Sequence, residues 1–301
     1  MADHFVHRLI AAAVAGSWAQ TAAAHHADGG STGAGAVVAV ALALVLATGG
    51  LLYAIGLRKL WKKAGVGRGI RIADVARFTL GWLTLGIALL GPIDEIAERS
   101  FSLHMVQHEL LMVVAAPLIV LGRPLEAWAW AASVGVRRAA AVLRAAPLRR
   151  LWDLLGTPVG AWTFHALALW MWHLPALFSA ALASLPLHCL QHACFFASAL
   201  GFWWVACGGI ARATNAASIA SLFTTMLHTS ALGALLTFAP TPWYAQGSSA
   251  AFGLSALEDQ QLGGLVMWVP GGFAYMVAGL AIVGAWLARP EPSASRMGRT
   301  T

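Results

Sequence analysis

Two short stretches carry histidines four residues apart: "HMVQH" at 104–108 and "HCLQH" at 188–192. Residues four apart share one face of a helix, so His104 with His108, and His188 with His192, each have the geometry of a two-point metal clip. Imidazole is a ligand for zinc, copper, iron and nickel, and thioether or thiolate donors favour Cu(I). Met105 and Cys189 adjoin the first histidine of each pair, and Met267 lies on the last apolar segment. The donor supply therefore points toward copper, as Cu(I), with zinc open. Two alternatives stand beside this reading. Histidines at a membrane interface can bond to backbone, water or lipid headgroups, and methionines in apolar helices commonly serve packing. Haem is the other competitor. Its axial ligands bind opposite faces of one iron, so a same-face pair cannot supply both, and haem would need ligands from two helices, such as His108 with His192.

The elements that must position these side chains are legible in the hydropathy. The chain has 301 residues, 59% hydrophobic and 10% charged, against about 25% charged in a soluble domain. The apolar residues gather into seven blocks at roughly 34–57, 74–91, 101–121, 158–175, 187–207, 216–238 and 261–287. A length of about 20 residues crosses about 30 Å of hydrocarbon as a helix. The expected fold class is all-α: a polytopic membrane protein with a bundle of seven transmembrane helices. Pro117 should bend the third span and Pro270-Gly271-Gly272 should kink the seventh. Ahead of the first block, residues 1–24 read as a signal peptide ending in Ala22-Ala23-Ala24, and cleavage there would leave His25 as the first residue. Residues 25–33 read as a flexible periplasmic N-terminus, 34–288 as the seven-helix domain and 289–301 as a cytoplasmic tail.

The net charge of +7 is distributed in a way that argues against nucleic acid. Arg58, Lys59, Lys62, Lys63, Arg68, Arg71 and Arg77 lie between the first two blocks. Arg123, Arg137, Arg138, Arg144, Arg149 and Arg150 lie between the third and fourth, Arg212 between the fifth and sixth, and Arg289, Arg296 and Arg299 after the seventh. The alternate loops carry Asp94, Glu95, Glu98, Arg99, Glu258 and Asp259. Basic loops mark the cytoplasmic side, giving N-terminus outside and C-terminus inside. The stretch 134–156 reads as a basic amphipathic segment on the inner leaflet, in contact with lipid. Cys189, Cys194 and Cys207 form no CxxC and cannot build a disulfide framework.

This orientation sets a depth for each histidine. His104, His108, His188 and His192 occupy the outer turns of the third and fifth spans. His173 lies near the outer end of the fourth, so five imidazoles from three helices share one layer. His165 lies eight residues before His173, about 12 Å deeper, and His228 lies about 15 Å from the outer end of the sixth span. These two would form a second level. Glu258 and Asp259, at the outer start of the seventh span, could accept hydrogen bonds from metal-bound imidazoles, or could simply begin a helix, where acids favour the dipole. No nucleophile, phosphate-binding loop or acid–base constellation argues for an enzyme.

The residues around the histidines resemble the multi-span CtaG family of cytochrome c oxidase assembly factors. The matching elements are "HMVQH" at 104–108, "APLIVLGRPL" at 116–125, "WHLP" at 172–175, "HCLQHACFF" at 188–196, "FWW" at 202–204, "MLHTSALGALLTFAPTPWY" at 226–244 and "LEDQQLGGLVMW" at 257–268. The resemblance implies a protein of the bacterial plasma membrane that assists copper insertion into the CuB centre of a haem-copper oxidase. It implies the oxidase catalytic subunit as partner and a periplasmic copper chaperone as donor. The family's histidines fall on His104, His108, His173, His188, His192 and His228, whereas His165 and the cysteines have no assigned place in its pattern. A copper permease and a haem-binding electron-transfer protein remain the alternatives.

Overall fold

In hydrocarbon a backbone amide finds no water, so an apolar segment satisfies its N–H and C=O groups by coiling into a helix. The computed structural model describes residues 32–97, 99–133, 135, 146–207, 214–244 and 253–288, and among these there are helices and no strands. Helix α1 spans Thr32–Ala64, α2 Ile72–Leu90 and the short α3 Pro92–Ala97. The next rod is α4 (Phe101–Glu109), a π turn (Leu110–Ala115) and α5 (Ala116–Leu121). Then come α6 (Pro124–Ala131), α7 (Ala146–Leu155), α8 (Pro158–Trp172), α9 (Pro175–Ala183), α10 (Leu185–Ala206) and α11 (Asn215–Thr237). The last rod is α12 (Ala256–Val266), a second π turn (Met267–Gly271) and α13 (Gly272–Leu287).

Six of these helical rods are long and apolar enough to cross a bilayer. A seventh crossing results if α8 and α9 form one broken span, because the two meet at a bend of 74°. The expected fourth block over roughly 158–175 is helical as far as Trp172. Pro175 has no N–H to donate and disfavours helical backbone in the residue before it, so the helix stops at Trp172, with His173 as its C-cap. The leader, His25, His26, much of the basic segment 134–156 and the tail from 289 lie outside the described residues.

Both expected proline irregularities take the form of a π turn. In the third rod the wide turn ends just before Ala116-Pro117, and in the seventh it contains Pro270. A proline ring crowds the carbonyl four residues back, and widening the turn relieves that contact. The Trp203 indole N–H donates to the carbonyl of Met112 inside the first π turn at 2.8 Å, supplying a partner where the regular ladder is broken.

Glycines set how closely the last rod approaches its neighbours. A Cβ on Gly264 would lie 2.6 Å from the carbonyl oxygen of Gly233 in α11, and a Cβ on Gly263 would lie 2.5 Å from the Phe101 ring of α4. Two adjacent glycines therefore let α12 touch α11 and α4 at once, as small residues do at membrane helix crossings. Phe101, Met105, Phe178, Leu232, Leu236, Tyr244 and Met267 form a compact apolar cluster at this junction. A larger cluster runs along α1, α2, α5, α10 and the first π turn.

Helix α6 falls outside the seven apolar blocks. It packs along α1, where the Trp128 indole donates to the Gly49 carbonyl at 2.9 Å and Lys59 to the Ala131 carbonyl at 3.0 Å. The turn before it places Arg123 at φ 57°, a left-handed conformation uncommon for a side-chain-bearing residue. Arg123 is held there by an ion pair with Glu126 and a hydrogen bond to the Gly69 carbonyl.

Candidate metal centre

The site begins with the cap of α4. Ser100 is the N-cap residue, and its hydroxyl accepts from the Leu103 amide. Asp259, from α12, completes the cap. Its carboxylate accepts from the Phe101 amide at 2.6 Å, the Ser102 amide at 3.1 Å and the Ser100 and Ser102 hydroxyls. A helix start has unpaired amides and the positive end of the dipole, so a buried carboxylate there is doubly suited. Asp259 acts on the backbone that carries His104 and His108, and among the described residues every hydrogen bond its carboxylate makes goes to that cap rather than to an imidazole. Glu258 closes its own capping box with Ser255 and faces solvent, the helix-start role.

With α4 fixed, its same-face spacing brings His104 and His108 to 4.4 Å between ring centres. On α10 the same spacing puts His188 and His192 at 4.3 Å. The two helices face each other across these rings: His104 lies 5.2 Å from His188 and 5.8 Å from His192, and His108 lies 5.2 Å from His192. His173 approaches from the end of α8, 6.1 Å from His108. The five histidines expected in one layer are in one cluster. One ring nitrogen from each of His104, His188 and His192 can be chosen so that all lie within 4.8 Å of one another, near enough for small side-chain movements to close on one ion.

Burial and hydrogen bonding decide what these rings are suited to. His104, His108, His173 and His192 are buried, and His188 is half-buried. Both nitrogens of His108, and Nε2 of His173 and of His192, have no hydrogen-bond partner among the described residues. Buried polar atoms are nearly always paired, so several orphans in one cluster leave room for an ordered water or a bound ion as the partner. The His173 Nδ1–H donates to the Leu169 carbonyl at 2.7 Å, which leaves the lone pair on Nε2, the arrangement that orients a metal-binding imidazole. Phe178 packs against His104, and Phe195 against both His108 and His173.

The remaining candidates lie elsewhere. His165 shares hydrogen bonds with Ser198 at 3.0 Å and with the Tyr275 hydroxyl at 3.3 Å, so both its nitrogens are engaged away from the cluster. His228 accepts from the Trp170 indole at 3.4 Å and lies edge-on to Trp162. None of these contacts is with the five clustered rings, so His228 stands apart from the set the family pattern groups it with. Met105 and Met267 are buried in the apolar cluster beside the site. Cys189 is a half-buried free thiol.

Several supporting residues escaped the sequence reading. Tyr244 donates to the His173 carbonyl at 2.6 Å and stacks on Phe101, and burial raises its phenol well above the ordinary tyrosine value, which keeps it a donor. Gln107 donates to the Ala88 carbonyl and to Asp94, each at 2.7 Å, tying α4 to α2 and α3. Gln191 is fully buried, next to His192 in sequence. The one available signal was that both motifs place a glutamine directly before their second histidine.

A family model described as cytochrome c oxidase caa3 assembly factor (Caa3_CtaG) matches residues 51–289. The chain belongs to this family. No curated protein and no solved structure matches it. The Caa3_CtaG match covers every helix that contributes to the histidine cluster, along with the capping residues on α12 and the Tyr244 loop. A cytochrome c oxidase assembly factor acts in association with the oxidase, and the several apolar helices of this chain fit a membrane protein.

Proposed function

We propose that this member of the Caa3_CtaG family binds copper, as Cu(I), at the cluster of His104, His108, His173, His188 and His192, and passes it to the CuB centre of a haem-copper oxidase. The observation that carries the proposal is the convergence of five imidazoles from three helices with several buried nitrogens left unpaired. Imidazole is a copper ligand, and an uncharged set of this kind leaves its ligands easy to exchange, as a cargo site requires. His228 and His165 are outside the set. In this reading the chain sits in the bacterial plasma membrane with its N-terminus outside after removal of residues 1–24, its seven-helix domain over 34–288 and its tail from 289 in the cytoplasm. The half-buried His188 then faces the side from which a periplasmic copper donor would approach.

The test is the double variant His108→Ala/His192→Ala, purified from membranes and analysed for copper, with oxidase assembled in the same cells analysed for CuB. The expected outcome is a loss of most bound copper, and oxidase subunits that are made but lack copper and activity. Wild-type copper content together with full oxidase activity would overturn the proposal.

A further inference from the structure

The cluster is not uniform, and its division has a chemical consequence. The group whose donor atoms lie within 4.8 Å of one another is His104, His188 and His192, without His108 or His173. This trio contains the half-buried His188. His104, at 0% exposed, is as buried as His108 and His173 at 1% and 3%, so His188 is the ring nearest water, while Phe195 lies against both His108 and His173, at 4.5 Å and 5.5 Å. Resting on the reading of the cluster as a copper site, we infer that it is two stations in series: an outer trio of His104, His188 and His192 that loads the ion, and an inner pair of His108 and His173 that holds it away from water.

The inner pair has the dimensions for this. With metal–nitrogen bonds of about 2 Å and a ring centre about 1.1 Å behind its nitrogen, two imidazoles on opposite sides of one ion have centres roughly 6 Å apart. His108 and His173 stand at 6.1 Å. His173 is anchored through Nδ1 to Leu169, with Nε2 unpaired, and neither nitrogen of His108 has a partner among the described residues. Two opposed neutral nitrogens are a sufficient ligand set for Cu(I), and Phe195 blocks water from one side. His192, a ligand of the outer trio, lies 5.2 Å from His108 and 5.8 Å from His104, so it can bridge the two stations during transfer. The ion moves inward by forming a bond to His108 while still bound to His192, then releasing His188 and His104, gaining His173 and releasing His192 last. One bond forms before another breaks, the copper stays Cu(I), and no proton is exchanged. Two unit charges this close repel strongly in a medium of low dielectric, so one ion occupies the pair of stations at a time.

The experiment uses the detergent-purified full chain loaded anaerobically with one equivalent of Cu(I) and examined by copper-edge X-ray absorption, with release to a water-soluble Cu(I) chelator timed in parallel. Wild type is expected to show two nitrogen ligands. His173→Ala should retain the ion with three nitrogen ligands and release it at least ten-fold faster, because the ion is left at the outer trio. His188→Ala should keep two nitrogen ligands but load at least ten-fold more slowly. Wild-type copper with three or four nitrogens, or a His173→Ala spectrum identical to wild type, would overturn the two-station arrangement while leaving copper binding intact. Failure of the wild-type chain to take up Cu(I) at all would instead overturn the copper reading itself. If His173→Ala does not accumulate in membranes, the wild-type ligand count and the His188→Ala loading rate decide the matter.

Discussion

Asp259 offers a quantitative test of how the site is held. Its carboxylate accepts from two backbone amides and two hydroxyls at the start of α4, and only 8% of the residue is exposed. Removing it with Asp259→Ala strands the Phe101 and Ser102 amides away from water. A hydrogen bond to a charged group contributes about 1.5–3 kcal/mol, and a stranded buried donor costs about 1–3 kcal/mol. Because one carboxylate serves all four donors, these contributions are not additive, and a net loss on the order of 3 kcal/mol is expected. For a chain of this size that lowers the thermal midpoint by roughly 5 °C. Asp259→Asn keeps one acceptor oxygen for the Ser100–Ser102 side but turns an NH₂ toward the Phe101 amide, so its loss should fall between wild type and alanine. The assay is tryptophan fluorescence of the detergent-purified protein during heating, followed by copper content. Copper retention should fall in the same order, because α4 carries two of the five histidines. An Asp259→Ala protein with a wild-type midpoint and wild-type copper would show that the cap does not hold the site.

The other expectations are simpler to state. Gly264→Ala places a methyl 2.6 Å from the Gly233 carbonyl, and this overpacking should cost about 1–3 kcal/mol, read as a lower thermal midpoint; an unchanged midpoint would mean the helices separate freely. His165→Ala leaves Ser198 and Tyr275 without their shared partner and should cost about 1–3 kcal/mol while copper content stays at the wild-type level; loss of copper would place His165 in the metal site after all. A reporter fused after Arg289 should be active only if it functions in the cytoplasm, and activity of a periplasm-specific reporter there would reverse the orientation and the depth assigned to every histidine.

The positions of the helices were readable because burying apolar side chains in lipid and pairing every amide internally are local demands, written residue by residue in the hydropathy. The two histidine pairs were readable for a similar reason: an interval of four residues means one helix face whatever the helix packs against. Depth along a span also follows from counting residues. What counting cannot supply is rotation about the helix axis, and there the tertiary structure decided. His165 shares α8 with His173, yet its ring turns to Ser198 and Tyr275, and His228 turns to Trp162 and Trp170. Packing of α8 against α10 and α11 sets those directions, and no local pattern encodes it. His173 reaches His108 because α8 stops at Trp172 and the chain bends by 74° before Pro175. The proline was visible in the sequence; the direction of the bend depends on what α9 packs against. Asp259 is the clearest case. An acid at a helix start reads as a cap for its own helix, but Gly263 and Gly264 bring α12 so close to α4 that the carboxylate caps the neighbouring helix instead. A hydrogen bond between residues 158 positions apart exists only once the intervening chain has folded.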